Sequence, residues 1–234
     1  MKKNHNQKII VLRKKIDENE VLEIIDDKKT TLFKSLFLRP KKNDVHIHSV
    51  KLYYECILMI SGKYMANYFR KATHSISVHS NVSEVILGDG VFPVQTKSNF
   101  KKAIVGKRGK NKIDLKLEEH VFVENEDELT FDHHGKEIKF PFKLNSKTTE
   151  NYPNRLLEKN SSNVKNSELT HNDVIKKLQS FLKKPLEDEV RKLEEEFVLR
   201  EISEVYVPIY ESRLIGPKKK IAIIRIDAVR NKIL

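Results

Sequence analysis

The sequence predicts an α+β protein whose sheet is mostly antiparallel. Short runs of β-branched and aromatic residues dominate residues 1–145, which predicts a β-rich domain there. Residues 146–169 are rich in Asn, Ser, Thr and Lys, which is typical of a polar linker or mobile loop. Residues 170–234 combine a helical apolar pattern with two strand patterns, so we expect a C-terminal helix-plus-β-hairpin module.

The strands of the β-rich domain are predicted from β-branched runs, which favour extended structure. Lys8–Arg13 and Glu20–Ile25 are the first two. From Val45 to Ile60 the pattern becomes increasingly apolar, and we expect Ser61-Gly62-Lys63 to end that strand. The later strands are Tyr64–Val78, Val82–Leu87 and a half-buried one in which Ile113, Leu115 and Leu117 alternate with charged residues.

Two local patterns lie between these strands. Thr31 is a helix-capping residue type, and a short apolar stripe follows it until Pro40. Glu128–Phe131 and Lys136–Phe140 flank a four-residue turn that ends at Gly135, where we expect a positive φ. The apolar stripe after Thr31 consists of Leu32, Phe33, Leu36 and Phe37.

The C-terminal module begins with a helix after Thr170, because apolar residues recur there at intervals of three and four. Pro185 ends this helix and favours a second one that reaches Arg200. Strands at Glu204–Arg213 and Ile221–Asp227 follow, with a turn near Gly216. The two helical stripes are Val174, Leu178, Phe181 and Leu182, then Leu186, Val190, Leu193 and Phe197.

The two halves of the chain show a similar order of patterns. Leu52-Tyr53-Tyr54-Glu55 runs on to Gly62 much as Val205-Tyr206-Val207-Pro208 runs on to Gly216, and a helical stretch precedes each. This order predicts an internal duplication. It resembles the helix-plus-hairpin modules of the PepSY and cystatin-like groups, and that resemblance implies a shape but no functional residue.

Composition excludes several classes of protein. The chain has 234 residues with only 7 Gly and 7 Pro, so it is neither collagen-like nor a Gly/Pro-rich low-complexity chain. The single cysteine, Cys56, excludes a disulfide scaffold or a Cys-rich zinc module and fits a reducing compartment. The longest apolar run, Cys56–Ile60, is too short to span a membrane, and no secretory signal is visible. We therefore expect a cytoplasmic protein with no membrane contact.

Charge is the best functional clue. The chain has 45 Lys+Arg against 33 Asp+Glu, a net charge of +12. Residues 97–116 hold 8 Lys/Arg and one acid, Asp114, whereas residues 117–150 hold 4 basic and 9 acidic residues. Either the basic block folds against its acidic neighbour, or it faces an anionic ligand such as the phosphates of nucleic acid.

The basic block contains the string Ile104-Val105-Gly106-Lys107-Arg108-Gly109-Lys110-Asn111. Two glycines allow close approach to phosphates, and the residues between them supply charge. The string resembles the GxxG loop of KH domains, which clamps a nucleic-acid backbone. The candidate nucleic-acid-binding residues are Lys101, Lys102, Gly106, Lys107, Arg108, Gly109, Lys110 and Lys112.

The residues after Gly109 depart from the KH pattern. A KH domain continues with a helix, whereas the alternation of Ile113, Leu115 and Leu117 predicts a strand. The alternative is a basic hairpin loop in which the glycines serve turn geometry. Such a hairpin can still bind nucleic acid without a KH fold.

The sequence contains weak patterns for three other chemistries. Asp89 with Asp114-Leu115-Lys116 has the outline of a metal-dependent nuclease site, but Asp-x-Lys is common in so charged a chain. The histidines, among them His46 and His48, have no spacing that demands a metal, and we expect them to be exposed. Cys56 lies in an apolar run and should pack as a small hydrophobe. No phosphate-loop or dinucleotide motif is present, so we expect no cofactor.

Aromatic residues are dense in the central strands: Tyr53, Tyr54, Tyr64, Tyr68 and Phe69. They either stack nucleic-acid bases on a sheet surface or form core and interface. The sequence thus favours a non-catalytic protein that binds RNA or DNA. The alternative is a protein–protein scaffold or adaptor subunit using sheet edges or the helices of residues 171–200, and a metal-dependent nuclease is the third hypothesis.

Overall fold

The computed structural model describes residues 6–34, 40–94, 111–186 and 189–234. These residues form an α+β fold with a mostly antiparallel sheet, as predicted. The strands are β1 (Asn6–Val11), β2 (His46–Val78), β3 (Glu84–Leu87), β4 (Gly90–Pro93), β5 (Asn111–Phe131), β6 (Val164–Lys165), β7 (Arg191–Ile215), β8 (Ile221–Asp227) and β9 (Lys232–Ile233). The helices are α1 (Glu18–Lys28), α2 (Pro153–Lys159) and α3 (His171–Leu182).

The main sheet has the strand order β5-β2-β7-β8-β9. β1 lies parallel to β7, and the short β6 lies parallel to β2. β7 and β8 are antiparallel, with Ile209 opposite Asp227 and Ile215 opposite Ile221. β3 and β4 form a separate antiparallel hairpin.

The chain divides into two compact units, each assembled from separate segments rather than from the successive stretches 1–145 and 170–234. Unit one consists of residues 1–63, 126–182 and 197–234, and unit two of residues 64–125 and 183–196. Unit one holds 31 Lys/Arg against 21 Asp/Glu, and unit two holds 14 against 12.

Helix α1 replaces the strand that was predicted over Glu20–Ile25. The Asp17 carboxylate accepts a hydrogen bond from the Glu20 backbone N–H, and the Glu20 carboxylate accepts one from the Asp17 N–H. This reciprocal cap satisfies backbone donors that would otherwise lack partners. Val21 and Ile25 lie one turn apart, and α1 buries both against Leu214 and Ile226 of the sheet.

Strand β2 is continuous over 33 residues, so the predicted break at Ser61-Gly62-Lys63 is wrong. Gly62 instead allows a close approach from two neighbours. A Cβ at this position would lie 3.0 Å from Leu178 Cδ2 and 3.1 Å from the Val198 carbonyl oxygen. The glycine therefore serves packing within unit one, and the first of the two predicted hairpins does not form.

Helix α3 confirms the predicted helix after Thr170, and Val174, Leu178 and Leu182 are buried along one side. Phe181 falls outside that stripe, with 54% of its surface exposed. The second predicted helix, as far as Arg200, is wrong, because residues from Arg191 onward belong to β7. Pairing within the sheet outweighs the local helical periodicity here.

Other local predictions have mixed outcomes. Residues 29–33 form a 3₁₀ turn rather than an α-helix, and Leu36 and Phe37 lie outside the described residues. The expected linker at 146–169 contains α2 and β6. Gly135 has φ of 80°, and Phe131 pairs with Glu137 across its turn, as predicted.

The residues that follow the Gly135 turn pack against one face of the sheet in unit one. Ile138 and Phe142 pack against Ile57, Val207 and Ile209. No helix in the described part of the chain is long and apolar enough to cross a membrane.

Candidate functional sites

Seven of the eight predicted nucleic-acid-binding residues lie outside the described residues: Lys101, Lys102, Gly106, Lys107, Arg108, Gly109 and Lys110. Lys112 is exposed near the start of β5, between the buried Asn111 and Ile113. A strand thus follows the glycine-framed segment, as the alternation of Ile113, Leu115 and Leu117 predicts, where a KH domain has a helix.

The acidic block that follows the basic segment finds cationic partners on neighbouring strands. Glu119 bonds to His74 Nε2 at 2.6 Å and to Arg70 Nε at 2.8 Å, and these contacts lower the pKa of its carboxyl. In the same unit, Glu118 lies 3.6 Å from Arg191. In unit one, Glu126 pairs with Arg200.

One face of the unit-two sheet is open and carries an aromatic group. The rings of Phe69 on β2 and His120 on β5 are stacked, with centroids 4.4 Å apart and planes within 9° of each other. The Asn67 amide oxygen lies 2.6 Å from His120 Nε2, which fixes the imidazole. Lys192 Nζ lies 5.4 Å from the centre of the Phe69 ring. Phe122, two residues after His120 and therefore on the same face, is 63% exposed.

Unit two contains two hollows, and the second of them is bordered by Phe122. One, of about 670 Å³, is lined by Lys71, Lys116 and Arg191 together with Glu118 and Glu189. The Lys71 ammonium lies 3.0 Å from Glu189. The second hollow, of about 400 Å³, is lined by Phe122 with Met65, Asn67, Glu194 and Glu196 among others.

The four tyrosines predicted as stacking candidates do not lie on this open face. Tyr54 is buried in unit one, and Tyr64 and Tyr68 are buried in unit two, so these three belong to the interior. Tyr53 lies under the ammonium of Lys165, 4.3 Å from the ring centre. Phe69 is the predicted aromatic that reaches the open face of unit two.

Unit one contains a buried charge cluster that sequence reasoning missed. The Glu55 side chain is only 9% exposed and lies 3.0 Å from Lys165 Nζ and 3.5 Å from His133 Nδ1. Both of its oxygens accept hydrogen bonds from Arg225, and Glu211 approaches Lys165 within 3.5 Å. Burial alone would raise the pKa of Glu55, but Lys165, Arg225 and His133 together hold it below its usual value.

The charge cluster borders a hollow of about 300 Å³ with an apolar floor that includes Ile57, Val207 and Ile209. Glu55 and Arg225 line the hollow, but they are already paired with each other. This pairing is the arrangement expected of a structural ion-pair network.

The residues that the sequence singled out for nucleophilic or metal chemistry have the following environments. Burial raises the pKa of the Cys56 thiol to about 12, so the thiol stays protonated at neutral pH, in line with the predicted packing role. Asp114 accepts a hydrogen bond from Ser75, and Asp89 lies in the tight turn between β3 and β4. Within the described ranges, no group of three or more His, Cys, Asp or Glu side chains is placed to hold a metal ion.

Comparison of the chain with family models, curated proteins and solved structures found no match.

The charge cluster predicts acid sensitivity. Burial lowers the pKa of His133 below its ordinary 6.5, so the unfolded chain binds a proton more readily near pH 6 and stability falls as the pH decreases. The lowered pKa of Glu55 acts in the same direction at still lower pH. As the pH falls from about 7.5 to about 5.5, we expect the free energy of unfolding of His133→Gln to decrease less than that of the wild type. Urea titrations at the two pH values measure this difference. The same change at the exposed His46 serves as control, and an equal pH response of H133Q and wild type would refute the assignment.

Proposed function

We propose that the protein is a non-catalytic binding protein for RNA or DNA and that residues 97–112 are its main contact. The observation that carries the proposal is the concentration of charge. This segment supplies 7 of the 14 Lys/Arg of unit two and none of its 12 Asp/Glu. Lysine and arginine that replace condensed counterions supply most of the affinity in sequence-independent binding.

The described residues support this proposal in one respect. The alternative role for the basic segment is to neutralise the acidic block that follows it. Glu118 and Glu119 already have partners in Arg191, Arg70 and His74. The charges of Glu118 and Glu119 are therefore balanced by cations within the described residues.

The test removes the charges between the two glycines. We expect Lys107→Ala/Arg108→Ala to weaken binding of a fluorescent single-stranded 20-mer and to flatten its salt dependence. Loss of two phosphate contacts should reduce the magnitude of the slope of log K against log salt by about 1.4. Fluorescence anisotropy over a KCl series measures both quantities.

The control removes two exposed charges elsewhere, with Lys218→Ala/Lys219→Ala in the turn before β8. This variant has the same net charge as K107A/R108A. If both double variants change the slope equally, or if K107A/R108A leaves it unchanged, the site is not at residues 97–112.

A second candidate function is that of a scaffold or adaptor. The observation that favours it is the β3–β4 hairpin, where Ile86, Leu87 and Val91 are each more than half exposed. Exposed apolar patches often mark protein interfaces. An adaptor is expected to co-purify with a protein and to pass through a heparin column without retention.

A further inference from the structure

We infer that the open face of unit two binds the bases of a single-stranded nucleic acid, with Phe122 and the Phe69–His120 pair as stacking surfaces. This inference rests on the proposed function and narrows it to a class of ligand. Aromatic platforms of this kind bind single strands because every base has a flat face that can stack.

The geometry provides a platform that is already in place. His120 and Phe122 project from the same face of β5 because side chains alternate along a strand. Phe69 and Asn67 fix the His120 ring from β2, so its position does not have to be selected on binding. Phe122 is 63% exposed beside an open hollow of about 400 Å³.

Cations are available on this face of β5. Lys112 and Lys116 precede His120 there, and both are exposed. Asp114 and Glu118 alternate with these lysines, but each is already paired with a neighbouring side chain. Lys192 adds a cation beside Phe69. Phosphates can therefore follow this end of the face while bases lie over the rings.

The carboxylates beside Phe122 give the platform a base preference. Glu194 and Glu196 line the same hollow and would repel a phosphate. A carboxylate can, however, accept a hydrogen bond from an exocyclic amine, as Glu and Asp do from cytosine N4. We therefore expect amine-bearing bases to occupy the hollow and thymine to be disfavoured.

A duplex cannot use this platform. Its bases are stacked on one another, so their faces are not available to Phe122. The prediction is that the protein binds a single strand more tightly than a duplex of the same length, in RNA and DNA alike.

The experiment measures the affinity of wild type, Phe122→Ala, Phe122→Tyr and Phe181→Ala for single-stranded oligo(dC), oligo(rC), oligo(dT) and a mixed duplex. Phe181 is the matched control, an exposed phenylalanine on α3 of unit one. We expect F122A to weaken oligo(dC) and oligo(rC) binding at least about five-fold, because stacking of one base is lost. F122Y should retain the affinity, F181A should match wild type, and oligo(dT) should bind less tightly than oligo(dC).

The outcomes separate this inference from the proposed function. If wild type binds oligo(dC) through Lys107 and Arg108 but F122A binds equally well, or if the duplex binds as tightly, the platform is refuted and the proposed function stands. If oligo(dC) and oligo(dT) bind equally, the role of Glu194 and Glu196 is refuted. If wild type binds no oligonucleotide at low salt, both proposals fail. Matching thermal unfolding curves for F122A and wild type exclude misfolding as the cause of any loss.

Discussion

Replacing Glu55 by glutamine is expected to lower the free energy of unfolding by about 3 kcal/mol. The carboxylate is almost fully buried and is the shared partner of Arg225 and Lys165. Glu55→Gln preserves the shape of the side chain but removes its charge, which leaves two cations without their main counterion. Because Arg225 and Lys165 are each about one-third exposed, we expect the loss at the lower end of the range for broken buried pairs.

A double variant tests whether charge is the cause. Glu55→Gln/Arg225→Met removes both members of the closest pair, so it should recover much of the stability that E55Q loses. Urea denaturation followed by circular dichroism measures each variant. If the double variant loses as much free energy of unfolding as the sum of the two single variants, the cluster does not act as a coupled unit.

The second large effect is expected at the centre of α3. Leu178 is fully buried, and its Cδ2 atom approaches the backbone at Gly62 of β2. Leu178→Ala leaves a cavity between helix and sheet and should cost about 2 to 5 kcal/mol. The same urea titration measures it.

Helix α3 also provides the control for this change. Phe181 lies one turn further along the helix and is mostly exposed, so Phe181→Ala should alter the free energy of unfolding by less than about 0.5 kcal/mol. Equal effects at the two positions would mean that α3 does not pack on the sheet through Leu178.

Much of the fold could be predicted where short-range patterns decide the structure. The alternation after Lys112 correctly predicts a strand, and the turn glycine at position 135 has the expected positive φ. The predicted strand at Glu20–Ile25 is a helix because the cap between Asp17 and Glu20 and the burial of Val21 and Ile25 on one side outweigh the β-branched composition. The helix predicted up to Arg200 is wrong because its apolar residues, although spaced as in a helix, belong from Arg191 onward to a strand of the sheet.

Gly62 illustrates a different kind of failure. From the sequence, a glycine after an apolar run predicts the end of a strand. Here the glycine allows close packing, because a Cβ would lie 3.0 Å from the side chain of Leu178, 116 residues further on. Such a reason depends on which elements meet in the fold, and one sequence does not contain that information.

The candidate sites were less predictable than the fold. Glu55, His133, Lys165 and Arg225 come from four separate segments, and no local spacing connects them. The stacking of Phe69 on His120 depends on the register between β2 and β5, 51 residues apart in the chain. Charge patterning could locate a basic segment, but it could not place aromatic rings on one face.

The parallel pairing of β1 with β7 has a consequence for the nascent chain. Asn6 pairs with Glu201 and Val11 with Tyr206, so the partners are 195 residues apart. Ile9 and Ile10 therefore leave the ribosome long before the strand that receives them has been made. Unit one cannot fold progressively as translation proceeds, because its sheet closes only after β7 emerges. Until then its apolar strands remain unpaired, and unpaired strand edges make growing chains prone to aggregation.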